Sequence, residues 1–122
     1  MIYDLHLYIA NPGRERFFVD SMRTGGLYTQ LARRILPGFI AMDLLRSQQE
    51  SSEFLCIRFF TSLDAYQAAL RSSNAAVLAH FLSKLTVFSA NLGVYFTLPD
   101  RLIPREALVT NHRTKPSPDG KP

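Results

Sequence analysis

The 122-residue chain has no tryptophan and a single cysteine, Cys56. One cysteine excludes an internal disulfide, and Cys56 stands in the strand-like run "FLCIRFF" among apolar neighbours. That context suits a small buried hydrophobe in a reducing compartment better than a nucleophile, and a cytoplasmic location is expected. The opening "MIYDLHLY" lacks the basic segment and long apolar core of a secretion signal. No apolar run approaches the roughly 20 residues that span a bilayer, so no membrane partner is expected. His6, His80 and His112 are too widely spaced to suggest a metal-ligand set. A dense basic stripe is missing too. The net charge is +4, but half of that excess falls within residues 100–122 and the remainder is scattered. Charge therefore gives no argument for a nucleic-acid partner.

What is present is the composition of one globular domain, 47% apolar and 20% charged, long enough to bury a core but too short for two. Residues 2–10, "IYDLHLYIA", alternate: Tyr3, Leu5, Leu7 and Ile9 fall on one side, Asp4, His6 and Tyr8 on the other. A period of two predicts a strand with two differently used faces, and "NPG" ends it. From Arg14 the period changes to that of a helix. Phe18 and Met22 sit four apart, and Leu27, Leu31 and Ile35 repeat the spacing after Gly25-Gly26, which predicts two helical pieces. Pro37-Gly38 stops the second. "FIAMDLLR" (39–46) and "FLCIRFF" (54–60) are strand-like and joined by polar residues. Thr61 stands three before Asp64, as in a capping box, and Leu63, Tyr66 and Leu70 follow at helical spacing. "RSSN" interrupts before a helix from about Ala75 to Leu85, and "NLGVYFTL" (91–98) predicts a fourth strand.

The order β-α-β-β-α-β predicts an α+β, ferredoxin-like domain over residues 1–98: a four-stranded antiparallel sheet with helices on one face. Residues 99–122 form an extension, expected to be disordered from about 115. Several strands are apolar on both sides, as with Leu55, Ile57 and Phe59 against Phe54 and Phe60. A sheet face so greasy exceeds what monomers tolerate, so a homodimer joined through the sheet faces is expected.

Two stretches carry a resemblance. "PGF" (37–39) leads into the second strand with a leucine pair six residues on. "FFTSLDAYQAALRSS" then runs from a strand-terminal aromatic through a serine cap into an alanine-rich helix ending in serine. Over residues 1–98 the chain resembles the antibiotic biosynthesis monooxygenase domain of the dimeric α+β barrel superfamily. The resemblance implies a homodimer with a small apolar pocket between sheet and helices in each subunit. It also implies kinship with a family whose members include cofactor-free oxygenases of polycyclic phenols and quinols, haem-degrading enzymes and proteins without known substrates. The haem-degrading branch carries an asparagine on its first strand, a tryptophan on the helix after its third and an iron-ligating histidine. Here His6, Leu70 and His80 stand at those positions, so only the histidine matches and no haem cofactor is expected.

The expected function is monooxygenation of an aromatic or quinol-like molecule without a cofactor. Asp4, His6 and Tyr8 are the candidate catalytic residues, sharing one face of the first strand. If that face looks toward the helices, they form the polar end of an apolar pocket, and histidine can take a phenolic proton near neutral pH. The alternative is that His6 and Asp4 only bond each other at a sheet surface. Tyr95 and His80 are candidate pocket residues. A helical wheel places His80 nearly opposite the Ala75, Leu78, Phe81, Leu82 and Leu85 stripe, near Ser83 and Lys84, which favours a solvated side chain. His112 is expected to be exposed. A non-catalytic dimer that binds a small ligand or assembles with a partner is the main competing function. An RNA-recognition motif competes less well. "LYIANP" and "FLCIRF" resemble its strand motifs, but Cys56 stands where a second stacking ring is expected and Ser52-Glu53 replace a basic-glycine pair.

Overall fold

The computed structural model describes residues 1–98; the expected extension at 99–122 lies outside the described residues. The elements run β1 (Ile2–Ala10), α1 (Glu15–Met22), α2 (Leu27–Ile35), β2 (Phe39–Arg46), β3 (Glu53–Phe60), α3 (Leu63–Arg71), α4 (Ser73–Ser83) and β4 (Thr86–Phe96). The four strands form one antiparallel sheet in the order β2-β3-β1-β4. This is the ferredoxin-like arrangement, with β1 and β3 central and the helices on one face.

The alternation of β1 decides what each face becomes. Ile2, Asp4, Tyr8 and Ala10 are buried beneath the helices, while Tyr3, Leu5, Leu7 and Ile9 are half-buried on the open side. The covered side is rich in rings. Phe18 of α1 packs between Tyr8 and Phe54 at 5.8 and 4.9 Å, and Phe60 meets Tyr66 of α3 edge-on at 5.1 Å. Each such side chain contributes on the order of 1.5–3 kcal/mol through burial.

Two glycines set the helix junctions. A Cβ on Gly26 would collide with the carbonyl oxygens of Asp20 and Ser21, so the chain turns from α1 to α2 only with glycine there. Gly38, at φ +71°, lets the chain reverse into β2 against Ala65 and Thr61.

Four details differ from the sequence expectations. Ser62, not Thr61, caps α3: its side chain accepts a hydrogen bond from the Ala65 N–H at 3.1 Å. The buried side of α2 holds Tyr28, Thr29 and Ala32, with Leu31 and Ile35 packed beside them, and Leu27 is exposed. On α3, Tyr66 and Ala69 are buried while Leu63 and Leu70 are exposed. Finally, β4 begins at Thr86, five residues earlier than the "NLGVYFTL" run. A bulge near Leu5/His6 lets it follow β1 along its length.

Candidate active site

Beneath the helices lies a cavity of about 210 Å³ whose walls are mostly apolar, among them Leu36, Phe60, Leu78 and Leu82. Its polar atoms come from β1, β3 and α2. Asp4 of β1 is completely buried. Opposite it in the β1–β3 register stands Arg58, only 11% exposed. The guanidinium donates to Asp4 Oδ2 through Nη2 and through Nε, the latter at 3.1 Å. Its Nη1 donates to the Tyr28 hydroxyl at 3.1 Å. His6 closes the group: Nε2 lies 3.0 Å from Asp4 Oδ1 and 3.2 Å from Oδ2, with hydrogen-bond geometry to Oδ2. Asp4 Oδ1 is buried without a hydrogen bond.

Electrostatics follow from this packing. Burial alone would raise the Asp4 pKa, but the His6 hydrogen bond and the Arg58 charge outweigh it and hold the carboxyl below its usual value. Desolvation pushes Tyr8 and Tyr28 upward, so both stay neutral phenols. It pushes the Cys56 thiol up to about 12, which removes it as a nucleophile at neutral pH. Arg58 stays charged: burial lowers its pKa, but the tyrosines and Asp4 raise it further.

The neutral His6 tautomer that serves Asp4 carries its proton on Nε2 and leaves Nδ1 as an acceptor. The ring is 20% exposed and stacks on Tyr8, with centroids 5.9 Å apart and planes within 13°. His6 and Tyr8 also line a second, more polar cavity of about 360 Å³ beside Ser83, Thr86 and Ser89. The two cavities share Ala79 and Leu82 as well, so His6 stands where an apolar inner lobe meets a polar outer one.

Asp4, His6 and Tyr8 are therefore brought together on the helix-facing side. Two other candidates are not. Tyr95 pairs with Tyr3 on the open face of the sheet and is 53% exposed, because the β1–β4 register puts it on the odd-numbered side of β1. His80 is exposed on α4 and lines neither cavity; Leu78 and Leu82 occupy the inward side. Arg58 and Tyr28 were not singled out in the sequence. A signal for Arg58 existed: period two in "FLCIRFF" places it with Cys56 and Phe60 on the buried face, where a charge requires a partner. Tyr28 had none, being one residue off the leucine stripe. No group of three or more potential metal ligands occurs among the described residues.

Residues 26–81 match the antibiotic biosynthesis monooxygenase family model. Over that stretch the chain is similar to the family's domain. Solved structures with the same fold include SnoaB, a cofactor-independent oxygenase from Streptomyces nogalater, seen as a mutant. It is 22% identical, with 83% of this chain and 95% of that one covered and a TM-score of 0.61. A Deinococcus radiodurans protein provisionally named an antibiotic biosynthesis monooxygenase aligns at 13% identity over 85% and 99% of the chains, TM-score 0.63. One from Nitrosomonas europaea, named in the same way, aligns at 12% over 80% and 90%, TM-score 0.60. No curated protein matches by sequence. At these identities the likeness of the ABM-like domain to solved structures is one of fold.

Proposed function

We propose that this protein is a cofactor-independent monooxygenase for a small aromatic molecule with a weakly acidic hydroxyl or methylene group. The observation that carries the reading is His6 in the wall of an apolar cavity, paired with the buried Asp4 behind it. Asp4 orients the imidazole and stands beside the positive charge that it acquires; His6 Nδ1 takes the substrate proton. The electron-rich carbanion or phenolate then reduces dioxygen directly. For an anthrone-like methylene, one O2 enters, one oxygen atom stays as the new carbonyl, and the other leaves as water with the two methylene hydrogens. The family match and the cofactor-independent activity named for SnoaB support this chemistry.

The working unit in this reading is a homodimer. Leu5, Leu7, Leu55, Ile57 and Phe59 share the open face of the sheet, and in a second copy of the chain they would find a matching apolar surface.

Oxygen consumption tests the enzymatic reading. With anthrone, the wild type should take up one O2 for each anthraquinone formed, with one oxygen atom in the product and the other in water. His6→Ala should lose about 10²–10⁴-fold in rate, the usual worth of a general base. No uptake with anthrones or quinols sinks the proposal and leaves a second reading, a non-catalytic dimer that holds a small ligand. One observation favours that second reading: Arg58 pairs with Asp4 Oδ2 through two donors, as in a structural ion pair.

A further inference from the structure

Tyr28 has a property that the base chemistry above does not use. Its oxygen accepts a hydrogen bond from Arg58 Nη1, its ring is fully buried, and it lines the inner cavity. Among the described residues its own O–H proton has no protein acceptor. A phenol that accepts from a guanidinium is a stronger donor through its own hydrogen, because hydrogen bonds in a chain polarise one another. In an apolar cavity such an unspent donor is costly until a ligand atom receives it.

The same guanidinium ties this donor to the base. Nη1 holds Tyr28, while Nη2 lies 3.5 Å from His6 Nε2. The His6 ring and the oxyanion donor thus flank one cation. Charge balance fits as well: Asp4 and Arg58 cancel, so a proton moved from ligand to His6 leaves one positive charge on the protein beside one negative charge on the ligand.

We infer that the inner cavity binds a planar aromatic hydroxyl compound as its oxyanion, with the ligand oxygen accepting the Tyr28 O–H and Arg58 behind it. The ligand O–H bond breaks, its proton passes to His6 Nδ1, and the electron pair remains on the oxygen. The assignment rests on the proposed function for its choice of site but needs no oxygen chemistry. Hydrogen bonding to the charged form lowers the ligand's pKa on binding. Burial keeps Tyr28 itself protonated and able to donate.

The test uses 4-nitrophenol, which turns yellow on ionisation and is not oxidised by the mechanism above. Its apparent pKa is read spectrophotometrically when free, bound to the wild type and bound to Tyr28→Phe. The wild type should lower it by about one unit, a tenfold shift in the ionisation equilibrium. Tyr28→Phe keeps the ring packing and should abolish most of that shift; with an anthrone it should lower kcat more than it changes KM. Three results would overturn the inference: no binding of the probe to the wild type, a bound probe whose pKa is unchanged or raised, or a Tyr28→Phe protein that lowers it as much as the wild type does. Should Tyr28→Phe fail to fold, the first two still decide. Ionised probe with no oxygen uptake would sink the oxygenase reading alone.

Discussion

The two faces of this sheet are built from the same strands yet solve opposite problems. Under the helices, β1 and β3 bring Asp4, His6 and Arg58 into a space otherwise walled by rings and leucines. On the open side the alternate residues of those strands, Leu5, Leu7, Leu55 and Ile57, are apolar. The expected distribution is thus inverted: charge lies inside and grease faces outward. Buried charge survives because each member has a partner, and an outward apolar face is stable only if something covers it. The comparison teaches that a period of two lets one strand hold a charged cluster on one side and an apolar surface on the other.

The most forceful way to break the covered face is Arg58→Ala. It leaves the buried Asp4 carboxylate without its cation and with only His6 as partner, a loss on the order of 3–5 kcal/mol, to be read from urea unfolding. Replacing both partners, as in Asp4→Leu with Arg58→Met, should restore most of that stability while abolishing ligand ionisation. The double variant sharpens the point further at low pH. The Asp4 pKa is depressed in the folded state. Its contribution is therefore fully present above the ordinary carboxyl range and lost as pH falls through the lower folded value. The wild type should show that acid limb, and the double variant should lack it. An acid limb of equal size in both would mean that the pair carries no folding linkage.

The open face is broken by a charge at its centre. Leu5 pairs with Ile57 on one side and Gly93 on the other. Leu5→Lys should turn a dimer into a monomer in sedimentation velocity, because burying an unpaired ammonium costs several kcal/mol. The lysine can reach water once the copies separate, so the folded subunit should persist. A wild type that sediments as a monomer at high concentration would remove the assembly role from this face.

How much of this was legible in sequence depends on which period governs. Strand alternation has only two phases, so the placement of Asp4, His6 and Tyr8 together under the helices follows once one face of β1 is known. A helix has many phases. Leu27, Leu31 and Ile35 mark a stripe, yet Tyr28 and Ala32 are the fully buried residues of α2, Leu31 and Ile35 pack at the edge of the core, and Leu27 is exposed. The Gly25-Gly26 turn before the helix is a tertiary constraint, and no side-chain pattern records it. Tyr95 was misplaced for a related reason: which residues share its face depends on the register with β1 and its bulges. Arg58 was the recoverable omission. A charge in phase with buried aromatics demands a counter-charge, and Asp4 is the acid that β1 places on the same face.

The smallest expected effect divides one helix rather than the sheet. On α4, Leu78 and Leu82 are buried against the cavity, while His80 is exposed and its backbone oxygen accepts from the Ser83 hydroxyl at 2.7 Å. His80→Ala keeps that oxygen and a good helix former. It should change unfolding free energy by no more than about 0.5 kcal/mol and leave 4-nitrophenol binding unaltered. Leu78→Ala, two residues away and so on the opposite, inward side of the helix, should cost about 2–5 kcal/mol and loosen probe binding. The two substitutions share a helix and differ only in direction. If His80→Ala weakened the probe as much as Leu78→Ala, the cavity would have to extend around α4 to its outer side, and the choice of His6 over His80 as the base would lose its geometric ground.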